Sequence, residues 1–434
     1  MHDSTGKVDY GSLMYIALQR AKTAREAINV MTGLANKYGY CSEGESFSVA
    51  DANEAWILEM LGKPEGGVIW AARRVPDGYV CAHANQARIR EVPLIDPDNC
   101  MYAPDMITYA IKKGWYDPKK GDFSFADTYC PPDPGSLMYC EDRIWRFFTK
   151  IAPSQHFSDD YWRAVKGAKP YPLFIKPDKK LTVQDVMSLM RDHFEGTPYD
   201  MTKGIAAGPF GCPYRWKNLG WKIEGDSTQY GWERPISTQQ TAFAFVSQMR
   251  SWLPRQIGGV FWYGVDDTYS NVYMPLYCCM TKPPKAFITG SIKEFSFDSG
   301  WWVFNLVANL AYTKYSYIIK DIQVVQKELE AKFHTMQPVI EKTALELYKT
   351  EPGLMVDFLT NYSLSQAETT FERWQKLWKV LVVKYNDGYI NDINDANGRN
   401  PKGVGYGNDF FKEVVKERPG YYDVKWRENS PGTK

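Results

Sequence analysis

Between Tyr10 and Arg90 the spacing of the apolar residues changes, and this change restricts the architectures open to the chain. In "GSLMYIALQR", Leu13, Ile16, Ala17 and Leu18 recur at helical spacing. "TAREAINVMTGLANKYG" follows. Thr23 and Glu26 match a capping box, Ala27, Met31 and Leu34 mark one face, and Gly39 supplies a stop. The period then falls to two. "ESFSVA" alternates around Phe47 and Val49, and "AWILEM", "VIWAARR" and "YVCAHA" follow across the turns "DANE", "GKPEGG" and "VPDG". Four short strands joined this way predict an antiparallel meander. Helices ahead of a meander imply an α+β layering, with helices on a sheet face.

Residues 91–180 are rich in turn clusters, with a helical stretch in "SLMYCEDRIWRFF". "LTVQDVMSLMRDHFEG" predicts a helix capped by Thr182 with Asp185 in the third position. Strands return in "FAFVSQMRSWLP", "GGVFWYGVDD" and "SNVYMPLYC". From about Trp302 the pattern is helical, with one stripe of Ile318, Ile322, Val325 and Leu329 and another of Phe371, Trp374, Leu377 and Leu381. Pro338 is expected to kink or break the first of these runs. The tail after Asn386 reads as loop. The expected organisation is a core over 1–300 and a helical region over 301–434 packed on the same domain.

The 434 residues carry 52 Lys plus Arg against 51 Asp plus Glu, a balance that argues against a nucleic-acid footprint or a polybasic membrane anchor. No stretch reads as a transmembrane helix, and "MHDSTGKVDYG" is too polar for a signal peptide. The eight cysteines form no CxxC and the five histidines no zinc spacing, so neither metal nor cofactor is expected. Aromatic residues make up 15% of the chain, which suits a large aromatic core or a cleft for peptides or sugars.

Polar side chains gather in a few places. "CAHANQARI" sets His83, Asn85 and Arg88 at a strand end, where clefts form. His83 could act as a base, Asn85 could donate to an oxyanion, and Arg88 could clamp a carboxylate; a solvated strand end is the plain alternative. "HFEGTPYDMTKG" offers His193, Glu195 and Asp200 on a loop set by a helix, or simply a C-cap followed by a polar loop. "ERPISTQQTAFAF" holds Ser237, Thr238, Gln239, Gln240 and Thr241, suited to recognising an amide or to capping a turn. Asp266 and Asp267 end an apolar strand, where such pairs usually cap turns. "GVGYG" near Gly403 follows no strand and fits no nucleotide loop.

The stretches "YGYCSEGESFSVADANEAWILEMLGK", "VPDGYVCAHANQARI", "PPDPGSLMYCEDRIWRFF", "IKPDKKLTVQDVMSLMRDHFEGTPYDMTKG", "GPFGCPYRW" and "STQQTAFAFVSQMRSWLPRQIGGVFWYGVDDTYS" resemble the C69 family of dipeptidases. That resemblance implies an N-terminal-nucleophile hydrolase: an αββα sandwich of antiparallel sheets between helical layers. A cysteine freed at the chain start would form an acyl-enzyme, with its own α-amino group as base. In the family this cysteine lies upstream of the helix matching "DYGSLMY", so the opening strands and the nucleophile are expected to be missing here, and neither Cys41 nor Cys81 takes that role. Relatives sharing the fold hold the oxyanion with an asparagine after the meander, which matches Asn85. Thr238 stands nearest to a supporting arginine that this stretch lacks, and Arg88, His83 and Asp200 are the expected substrate contacts. The implied activity is hydrolysis of short peptides by a cysteine-type dipeptidase, with residues 1–434 alone inactive. The alternative is a non-catalytic peptide- or glycan-binding protein or an inactive fragment. Compartment (secreted, periplasmic or cytoplasmic) and homo-oligomerisation stay open.

Overall fold

The computed structural model describes residues 3–215, 219–396 and 400–423. Two helices open the chain, α1 (Tyr10–Arg20) and α2 (Ala24–Tyr38). Asp9 caps α1 by accepting from the Ser12 N–H at 2.6 Å. Thr23 caps α2 through the Glu26 N–H, but the Glu26 carboxylate reaches back to the N–H of Lys22, one residue before the cap. Gly39 ends α2 at φ +74°, where a Cβ would strike the Asp3 carboxylate.

Strands β1 (Gly44–Ala50), β2 (Ala55–Gly62) and β3 (Val68–Arg74) then form the expected antiparallel meander. Phe47, Trp56, Leu58 and Met60 share a core with Ile28, Met31 and Ala35 of α2. The fourth strand departs from expectation. β4 (Val80–Cys81) leaves the sheet, and the place beside β3 goes to β5 (Cys100–Tyr102). A buried carboxylate holds the chain that follows β4. Glu59 on β2 accepts the backbone N–H of Arg88 at 2.6 Å and of Ile89 at 3.0 Å, so the chain after β4 is bound by a side chain rather than by a ladder.

Helix α3 (Asp142–Ile151) continues from a π-helical turn over Leu137–Glu141 and buries Ile144, Trp145 and Phe148 in a second core with Trp162 and Phe194. The strand β6 (Phe174–Ile175) pairs with β4. Helix α4 (Val183–Leu189) starts on the expected capping box: Thr182 Oγ1 accepts from the Asp185 N–H at 3.1 Å, and Asp185 accepts from the Thr182 N–H at 2.9 Å.

A second antiparallel sheet joins β7 (Phe243–Met249), β8 (Gly259–Val265) and β9 (Met274–Tyr277), with β8 in the centre. Its inner face meets α5 (Gly300–Thr313), α6 (Tyr315–Thr350) and α7 (Pro352–Tyr385): Val246, Val260 and Trp262 share one core with Val307, Phe333 and Trp374. Pro338 does not break α6. Phe333 and Ile340 are buried on either side of it, and this packing holds the helix across the missing N–H. The tail is not all loop either, because α8 (Asn408–Glu417) forms within it. The fold is α+β with small antiparallel sheets. Among the described residues no helix is long and apolar enough to cross a membrane.

Candidate active site

The segment after β4 runs beside the meander and is held there by buried charge. Arg88 is the anchor. Its side chain is 1% exposed; Nε donates to Glu141 at 3.0 Å, Nη1 to the Ala82 carbonyl at 2.6 Å, and Nη2 to the carbonyls of Tyr171 and Pro172. A buried guanidinium with these donors occupied has a structural post.

Around this anchor His83 is half-buried and Asn85 exposed. His83 Nε2 lies 2.8 Å from the Ser48 hydroxyl on β1. Burial, and then the nearby Arg88 charge, lower its pKa to about 4, so the ring is neutral near pH 7. No carboxylate bonds to its ring among the described residues, so Ser48 and His83 form a pair rather than a triad. Asn85 is exposed, and its Oδ1 accepts from Nη2 of Arg143 at 2.9 Å. Arg143 is held by the Tyr139 carbonyl inside the π turn, at 3.0 Å from Nε and 2.7 Å from Nη2. Next to it, buried Asp142 accepts the N–H groups of Arg143 and Arg234 at 2.6 and 2.8 Å. Burial raises the Asp142 carboxyl well above the usual range. An exposed amide on a rigid charged support can donate a hydrogen bond to a developing negative charge.

Glu59 lies beneath the same segment and is 1% exposed. Burial outweighs its two backbone donors and pushes its pKa up to about 7 from an ordinary 4.5. Between these values the folded state holds a proton that the unfolded chain has released. Its contribution to stability is therefore complete below pH 4.5 and lost as pH rises through 7. Chemical denaturation of the native protein should lose up to about 3 kcal/mol across that window relative to Glu59→Gln. At low pH the glutamine variant should match the native protein within about 1 kcal/mol, because protonated Glu59 and Gln each offer one carbonyl oxygen, and Oε1 alone lies within reach of both N–H groups. Parallel pH profiles for the two proteins would remove Glu59 as the cause.

The other expected site residues lie apart from this cluster in their bonding. Asp200 accepts the Thr202 N–H at 2.9 Å, the Thr202 hydroxyl at 2.6 Å and the Gly196 N–H at 3.3 Å, and so organises its own loop. His193 lies 3.3 Å from Glu195 and its ring sits against Tyr269. Thr238 bonds to Thr241 within a turn. Asp267 takes the Tyr269 N–H and the Tyr312 hydroxyl, and Asp266 takes the Asn305 amide at 3.0 Å, so both carboxylates tie the end of β8 to α5. No group of three His, Cys, Asp or Glu side chains among the described residues could hold a metal. Burial raises the thiols of Cys81 to about 12 and of Cys100 and Cys212 to about 11, and raises those of Cys140, Cys278 and Cys279. Such thiols are poor nucleophiles.

Ser48, Glu59 and Arg143 were missed by sequence reading. Only Glu59 had a signal, a lone carboxylate inside the apolar run "AWILEM".

The family model of peptidase family C69 matches residues 3–328. The chain belongs to peptidase family C69. Curated relatives include a probable dipeptidase of Salmonella dublin, 29% identical over 265 residues, which are 60% of this chain and 53% of that protein. A probable dipeptidase of Latilactobacillus sakei is 25% identical over 253 residues, 58% of this chain and 46% of the relative. Probable dipeptidase B of Streptococcus pyogenes serotype M1 is 24% identical over 371 residues, 86% of this chain and 69% of the relative. The C69 chain thus spans about half the length of the first two relatives. The C69 match includes β1 to β9 and the whole Ser48, His83, Asn85 and Arg143 cluster.

Proposed function

We propose that this C69 protein belongs to a cysteine-type dipeptidase that hydrolyses short peptides through an acyl-enzyme. The observation that carries the reading is the family match over residues 3–328. The names of the relatives agree with it. The nucleophile is a cysteine with a free α-amino group, supplied by sequence outside residues 1–434. The family match supports this reading, and burial raises the thiols of Cys81, Cys100, Cys140, Cys212, Cys278 and Cys279. The implied architecture is the N-terminal-nucleophile sandwich, with a core over 1–300 and the helices of 301–434 on the same domain. Asn85 donates its side-chain amide to the oxyanion of the tetrahedral intermediate, and His83 lines the substrate side beside it.

A second reading, peptide or glycan binding without turnover, draws on the outer face of the second sheet. There Phe243, Phe245, Phe261 and Tyr263 form a ladder of rings with centroids 4.8–6.3 Å apart, and Phe243 is 53% exposed. Amino-acid release from a panel of dipeptides separates the two. Release should depend on the polypeptide carrying the cysteine-led segment and be absent from residues 1–434 alone. Equal release by both would overturn the external nucleophile, and binding without release by either would favour the second reading.

A further inference from the structure

The Arg143–Asn85 contact has a chemical direction. A guanidinium carries only N–H donors, so the atom of Asn85 that faces it must be the carbonyl oxygen. The amide is planar, so its NH₂ points away from Arg143, and Asn85 is exposed. No other bond is recorded for the Asn85 side chain among the described residues. An asparagine without such a partner can turn its amide over and present oxygen where a donor is required. An oxygen aimed at an oxyanion repels it.

We infer that Arg143 is the positioning residue that fixes the orientation of the Asn85 amide and so keeps its N–H groups turned toward the substrate. The inference rests on the reading of Asn85 as oxyanion donor. Arg143 is built for this task. Nε and Nη2 are both spent on the Tyr139 carbonyl, and the bond to Asn85 branches from the same Nη2. Tyr139 lies in a π-helical turn, a local irregularity that recurs at functional sites. Asp142, next in sequence, fixes the backbone of the turn and ties it to Arg234. The arginine comes from the start of α3 and the asparagine from the segment after β4, 58 residues apart. The effect of Arg143 passes through Asn85.

A double-mutant cycle in the dipeptide-hydrolysing polypeptide tests this. Arg143→Met should lower kcat by about 10–100-fold, the size of effect expected from a misplaced catalytic group, with KM within about twofold. Arg143→Lys keeps one donor and should recover most of the loss. The decisive comparison is Arg143→Met/Asn85→Ala, which should be no slower than Asn85→Ala alone. Additive losses, or an unchanged kcat in Arg143→Met while Asn85→Ala is crippled, would overturn the positioning role. An unchanged kcat in Asn85→Ala would instead remove the oxyanion reading itself. If Arg143→Met fails to fold, Arg143→Gln, uncharged and too short to reach Asn85 in the same way, carries the same comparison when combined with Asn85→Ala. Side-chain amide NMR of residues 1–434 gives a readout independent of activity. Loss of Arg143 should move the Asn85 NH₂ pair and bring it toward free-amide exchange, and an unmoved pair would count against the contact.

Discussion

Arg88→Ala is expected to destabilise the protein by about 3–5 kcal/mol in chemical denaturation, the range for breaking a buried ion pair from one side. The substitution strands Glu141, whose side chain is 4% exposed and whose Oε2 already has no partner. It also removes the donors that bind the carbonyls of Ala82, Tyr171 and Pro172. These carbonyls join the segment after β4 to the chain that leads into β6, so the loss should spread to the β4–β6 pair. The guanidinium also lies 5.6 Å from the Phe148 ring, within cation–π range. Arg88→Met with Glu141→Leu should recover much of the stability, because replacing both charges by apolar groups avoids the stranded carboxylate. A loss below about 1 kcal/mol for Arg88→Ala would mean that Glu141 finds other partners at little cost.

Asn85→Ala should lower kcat for dipeptide hydrolysis by about two to three orders of magnitude, the usual effect of deleting one oxyanion donor. KM should change little, because the bond strengthens only as charge develops on the carbonyl oxygen. Asn85 is exposed and has one side-chain bond, to Arg143, so stability should hold within about 1 kcal/mol. This separation from Arg88→Ala is diagnostic. One variant loses stability and the other loses rate, although the residues lie three positions apart in the same segment. A kcat loss under tenfold would end the oxyanion role.

Much of the architecture was legible in the residues. The switch of period from helix to strand placed α1, α2 and β1–β3, and the polar caps Thr23 and Thr182 marked two helix starts. The apolar runs placed β7–β9, and the two stripes after Trp302 placed the long helices. The errors share a cause. Val80–Cys81 was read by its alternation as a fourth meander strand, but alternation fixes which side chains share a face and is silent on which strand lies alongside. Pro338 was expected to kink or break its helix; α6 runs unbroken through it, with Phe333 and Ile340 buried on either side.

At the candidate site the sequence by itself determined which side chains gather after β4: a histidine, an asparagine and an arginine in one short run. It could not rank them by role, because each role depends on a partner far along the chain. Tertiary structure decided that Arg88 turns inward to Glu141, that His83 meets Ser48, and that Asn85 turns outward with its oxygen on Arg143. The physical reason is that local spacing sets the direction of a side chain, whereas desolvation and hydrogen bonding choose its partner, and both arise only when distant segments close around it.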